Sequence, residues 1–185
     1  MNAQEKALVA VGRHLDASGI PYMIIGGMAN AVWGVPRATL DVDVTVWTEP
    51  VRPSAAWERV AEGFVALPES PAAFADETRV LPMETADGVR VDVVFGLLPF
   101  EHQAIERAVA RDIGGQPVRF ATAEDLILLK ILSERERDLD DVSKILARQR
   151  GHLDRGYLDP RVEELAQILE RPEIRERYLR GLGER

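Results

Sequence analysis

The 185-residue chain has no cysteine, which excludes disulfides, thiolate nucleophiles and cysteine-based zinc or iron–sulfur centres, and fits a reducing compartment. Its histidines, His14, His102 and His152, share no ligand spacing, so any bound metal must be held by oxygen donors. No stretch approaches the ~20 consecutive apolar residues of a membrane span. The amino-terminal MNAQEKALVAVGRHLDASG is amphipathic and mixed in charge, unlike a signal peptide. These absences predict a cytoplasmic protein with no membrane partner. Positive charge is scarce too: 23 Lys and Arg stand against 31 Asp and Glu, a net charge of −8. Such a surface repels phosphate backbones and anionic lipid as a whole, so contact with a long nucleic acid needs a local basic patch. There is no internal repeat or low-complexity tract. What remains, 46% hydrophobic and 29% charged, is the mix of one ordinary folded domain with a small appendage.

Periodicity predicts an α/β (α+β) fold: a small mixed sheet of about four to six strands with flanking helices, followed by a carboxy-terminal helical part. Ala7, Leu8, Val11 and Leu15 recur at helical spacing, and Gly19 and Pro21 end that helix. PYMII is a short apolar strand, broken by Gly26-Gly27 before a short helix in MANAVWG. From Leu40 to Val46 the alternation is strict, with Asp41, Asp43 and Thr45 on one face of a strand and Val42, Val44 and Val46 on the other. SAAWERVAEGF reads as a surface helix, and Ala66 to Phe74 gives no clear signal. Two hairpins are expected, RVLPMET/VRVDVVFG around Asp87-Gly88 and RDI/QPVRF around Gly114-Gly115. Thr122 opens a series of helices, so residues 1–121 are expected to form the α/β core and 122–185 the helical subdomain.

The chemistry concentrates where acidic residues interrupt apolar strands. Asp41 and Asp43 lie side by side on one strand face, a spacing that suits the hard oxygen-liganded ion Mg²⁺. Asp92, between Val91 and Val93, supplies a third carboxylate if its strand is a neighbour. Three converging carboxylates commonly hold two cations ~4 Å apart for in-line phosphoryl displacement. Gly26-Gly27, after a strand and before a helix, lets backbone approach a phosphate; Arg37 can clamp one and Thr39 can add a hydrogen bond. Lys130 is the one charge in LILLKIL, and its ammonium reaches either water or an anion. At about 100° per residue, Asp138 and Asp141 fall beside the Leu139–Val142–Ile145 stripe, whereas Asp140 points away toward an i,i+4 pair with Lys144. Asp138 reads either as a functional carboxylate or as a helix N-cap.

GGMANAVWGVPRATLDVDV, with VDVVF about fifty residues on, resembles the signature of the nucleotidyltransferase superfamily built on the polymerase-β-like core, over residues 22–95. AEDLILLKI and RDLDDVSKI resemble the later motifs of the AbiEii/AbiGii-type toxin nucleotidyltransferases, although Gly27 stands where those toxins usually have Ser. The resemblance implies a Mg²⁺-dependent transfer of a nucleoside monophosphate from an NTP. Asp41, Asp43 and Asp92 would hold two Mg²⁺ ions, Gly26 and Gly27 the triphosphate, and Lys130 a nucleotide phosphate, with Asp138 or Asp141 positioning or deprotonating the acceptor. It also implies a toxin of a toxin–antitoxin pair, with a cognate antitoxin as partner and tRNA or protein as acceptor. The Gly-Gly form is similar instead to lincosamide- and aminoglycoside-modifying enzymes, for which the acceptor is a small molecule. A catalytically silent, nucleotide-binding regulator or antitoxin is the remaining alternative.

Overall fold

The computed structural model describes residues 1–183, in two compact units. The first comprises Met1–Met28 and Ala38–Ala121; the second comprises Ala29–Arg37 and the chain from Thr122 onward.

The first unit carries a mixed seven-stranded sheet: β1 (Tyr22–Ile24), β2 (Val42–Val46), β3 (Val65–Ala66), β4 (Val80–Glu84), β5 (Arg90–Phe95), β6 (Val109–Ile113) and β7 (Gln116–Phe120), in the order β3-β4-β5-β2-β1-β7-β6. This mixed sheet with flanking helices is the predicted class, with more strands than periodicity counted. The two-residue β3 is too short to show an alternation, and α4 (Pro71–Thr78) begins within the stretch that gave no signal. Both expected hairpins form: β4 pairs antiparallel with β5, and β6 with β7. Gly88, Gly114 and Gly115 take the positive φ that the two turns require. β2 is central, antiparallel to β1 and parallel to β5.

Burial explains the alternation. Val42, Val44, Val46, Val91, Val93 and Phe95 are all buried, so the apolar halves of β2 and β5 form the middle of the core. α1 (Ala3–Ala17) packs against β7, β2 and β6 and buries Leu8, Val11 and Leu15; its start is fixed by an Asn2–Glu5 capping box. α5 (Pro99–Arg107) packs on β1, while α3 (Pro53–Val60) packs against α4.

The second unit is helical: α6 (Ala123–Ile131), α7 (Glu136–Arg148), α8 (Arg155–Ile168) and α9 (Glu173–Leu182), joined by the end of α2 (Gly26–Trp33), whose first turn lies in the first unit. Leu126, Ile127, Leu128, Val142, Ile145, Leu158, Val162 and Ile174 are its core. Thr122 caps α6, accepting from the Asp125 N–H at 3.1 Å. Both Asp125 oxygens are buried as acceptors, from the Thr122 and Tyr157 hydroxyls at 2.6 Å each. Among the described residues, no helix is long and apolar enough to cross a membrane.

Candidate active site

Parallel pairing of β2 with β5 sets Asp43 directly opposite Asp92. Asp41, just before β2, joins them: one carboxylate oxygen from each of the three lies within 4.8 Å of the others. All three are half-buried, so the group is open to solvent and to a ligand. Like charges this close cost stability until a cation neutralises them, and three hard oxygen donors are the ligand type that Mg²⁺ accepts. Asp41 is also held in place, because Thr39 Oγ1 donates to its Oδ1 at 2.7 Å. Thr39 therefore orients a carboxylate.

The Gly-Gly turn lies against this group. The Ile25 N–H donates to the Asp43 carbonyl at 2.9 Å, bringing the next residue onto the Asp43 side chain. A Cβ at Gly26 would lie 1.9 Å from Asp43 Oδ2, and Gly26 also has φ +61°, so both space and backbone demand glycine. A Cβ at Gly27 would meet Thr39 Oγ1 at 2.8 Å. Gly26→Ala is expected to lower stability by ~1–3 kcal/mol and to displace Asp43. Gly27→Ala carries no positive-φ penalty and should cost less. Equilibrium urea unfolding of the two variants checks the order.

In the second unit the sequence-selected charges pair with one another. Lys130 Nζ, 6% exposed, donates to Asp138 Oδ1 at 2.8 Å and to Asp141 Oδ2 at 2.9 Å. It reaches carboxylates rather than water. Asp141, 2% exposed, also accepts from Arg37 Nη2 at 3.2 Å. Asp138 lies inside α7, whose N-cap is Arg135, and its Oδ2 accepts from Ser133 Oγ at 2.8 Å. Asp140 is exposed and pairs with Lys144 at 2.5 Å.

Burial alone would raise the Asp138 pKa; hydrogen bonds from Lys130 and Ser133, with the Lys130 charge, outweigh it and hold the carboxyl below its ordinary 3.8. A depressed folded pKa contributes stability that is present above the unfolded value and lost as pH falls through the folded one. Asp138→Asn should therefore be less stable than the parent at pH 7, and the gap should close below about pH 4. Urea midpoints at several pH values check this.

Residues 4–179 match the family described as "Nucleotidyl transferase of unknown function (DUF2204)". The chain belongs to this nucleotidyl transferase family. Solved structures agree in fold with the nucleotidyltransferase. An antigenic nucleotidyltransferase-like protein from Paracoccidioides brasiliensis is 17% identical with a TM-score of 0.55, the match covering 94% of this chain and 91% of that one. ANT(2")-Ia, solved in complex with adenylyl-2"-tobramycin, is 18% identical with a TM-score of 0.56 over 96% and 99% of the two chains. No curated protein sequence matches.

Beyond the sequence-selected residues, the structure adds two. Ser133 fixes Asp138, and Arg90 donates from Nε to Asp92 Oδ1 at 3.0 Å. Arg90 could have been read from its position, two residues before Asp92 on the same strand face. Ser133 carried no such signal, lying between two helices.

Proposed function

We propose that this nucleotidyltransferase moves a nucleoside monophosphate from an NTP to an acceptor nucleophile in a Mg²⁺-dependent reaction. The bond from the acceptor to the α-phosphorus forms, the acceptor's proton passes to solvent, the α–β phosphoanhydride bond breaks, and pyrophosphate leaves. The observation that carries this reading is the convergence of Asp41, Asp43 and Asp92, with Asp43 and Asp92 directly paired across parallel strands. When bound, Mg²⁺ would supply charge neutralisation to the reacting phosphates. Asp41 and Asp43 would hold both ions and Asp92 the catalytic one. Thr39 fixes Asp41, and Gly26 and Gly27 leave the backbone free to approach the triphosphate at the first turn of α2. Catalysis is then mostly positioning and charge stabilisation.

Resemblance to AbiEii/AbiGii-type enzymes assigns Lys130 to nucleotide phosphate and Asp138 or Asp141 to the acceptor; Arg37, by its planar fork, is a candidate phosphate clamp. For Asp138, a depressed pKa and two occupied oxygens favour positioning over proton abstraction, since a general base works best with a pKa near the working pH. The same resemblance favours a toxin-type acceptor, tRNA or protein, with a cognate antitoxin. A second reading, an antibiotic-like small-molecule acceptor, is favoured by the full-length likeness to ANT(2")-Ia, whose structure holds adenylyl-2"-tobramycin. The −8 charge weighs mildly against a long RNA.

Incubation with Mg²⁺, each α-labelled NTP and, in turn, total tRNA, total cell protein or an antibiotic panel tests the proposal. Label on tRNA or protein supports the toxin-type reading, and label on an antibiotic the second. NTP binding with no label transferred would favour the silent regulator.

A further inference from the structure

The third carboxylate already has a cation on it. Arg90 Nε donates to Asp92 Oδ1 at 3.0 Å and to Oδ2 at 3.2 Å, so one N–H spans both oxygens that a metal would use. The strand period puts Arg90 and Asp92 on the same face of β5, and the parallel register pairs Asp92 with Asp43. Asp41, immediately before β2, reaches the same pair, and on the other side of β5 Arg90 stands opposite Glu84 of β4. The face is therefore a block of four charged side chains at the junction of β2 and β5, three carboxylates and one guanidinium. Arg90 lowers the charge on the triad and occupies part of its coordinating capacity. Its side chain is 55% exposed, so it can swing away without breaking the core.

We propose that Arg90 is the resident counter-ion of the triad and competes with the divalent cation for Asp92. This rests on the reading of the triad as a metal site. Metal binding draws the guanidinium off Asp92, and without Arg90 the site carries more negative charge and both Asp92 oxygens are available. Arg90 is thus a positioning residue that holds Asp92 before the metal arrives and weakens the metal's hold afterwards. The guanidinium's planar fork remains beside the site, where a phosphate would give it a new partner.

The test is Mn²⁺ titration of the nucleotide-free protein, followed by the electron paramagnetic resonance of free Mn²⁺, with Arg90→Gln, Arg90→Lys and Asp43→Asn beside the parent. Arg90→Gln should bind Mn²⁺ about 3- to 10-fold more tightly, the size expected from removing one partly screened like charge a few ångströms away. Arg90→Lys, which keeps the charge, should stay within about 2-fold of the parent. Unchanged or weaker binding by Arg90→Gln, in a protein whose Mn²⁺ affinity falls in Asp43→Asn, would overturn the role of Arg90 alone. A parent whose Mn²⁺ affinity does not depend on Asp43 would overturn the metal-site reading and this inference with it. Circular dichroism of each variant confirms that the fold is intact.

Discussion

Alanine at Lys130 is expected to destabilise the protein by ~3–5 kcal/mol, the cost of removing one partner from a buried ionic group. The Lys130 ammonium lies between Asp138 and Asp141 at 2.8 and 2.9 Å, and Asp141 is almost wholly buried. Without it, Asp138 loses a donor, and Asp141 keeps only the Arg37 contact among its described charge partners. Removing water from a carboxylate is costly unless a cation or donors replace it, so the deficit appears as lost stability. Lys130→Met, which retains most of the side-chain volume, should fall in the same direction, because charge rather than packing is what is missing. Lys144→Ala is the matched control. Its pair with Asp140 is exposed at both ends and should change stability by no more than about 0.5 kcal/mol. Equilibrium urea unfolding separates the two, and equal effects would mean that the buried pairings add nothing.

Asn at Asp43 is expected to leave the fold intact and to cost ~10²-fold or more in the rate of nucleotidyl transfer. The substitution is nearly isosteric and the side chain is half-buried, so the sheet has little to lose. Its backbone contacts remain, including the carbonyl that accepts from Ile25. What disappears is one negative charge at the centre of the triad, between Asp41 just before the same strand and Asp92 across from it. Charge stabilisation is usually the largest single contribution to such catalysis, hence the size of the expected loss. Asp140→Asn, an acidic change elsewhere, should leave the rate unchanged.

The part of the fold that could be read from sequence is the part whose signal is local. Alternation over Val42–Val46 and Arg90–Phe95 marks two strands because every second residue of each is a buried apolar one, and Asp87-Gly88 and Gly114-Gly115 mark hairpins because their turns place glycine at positive φ. Thr122 marks a helix start through its own hydroxyl. The β2–β5 pairing is different. The two strands are separated by α3, β3, α4 and β4, and nothing in either alternation says that Asp92 should face Asp43 rather than Asp41 or no carboxylate at all. Strand period could place each aspartate on a face; only the topology brings the faces together. α4 was hidden because its alanines and its proline carry no helical stripe, and only Ala75 is buried. For Lys130, an apolar helix gave burial but not a partner, since Asp138 and Asp141 meet it through packing of α6 against α7. Ser133 and Arg90 act through neighbours, which a search for reactive side chains passes over.

Pyrophosphate release reads nucleotidyl transfer whatever the acceptor. The parent and Asp43→Asn would be compared with each NTP in the presence of the acceptor mixture, with Mg²⁺ and with the metal removed by EDTA. Catalysis by a metal held on the aspartate triad requires release by the parent with Mg²⁺, none with EDTA, and a fall of ~10²-fold or more in the well-folded Asp43→Asn protein. Undiminished release by Asp43→Asn, or release that survives EDTA, would contradict it.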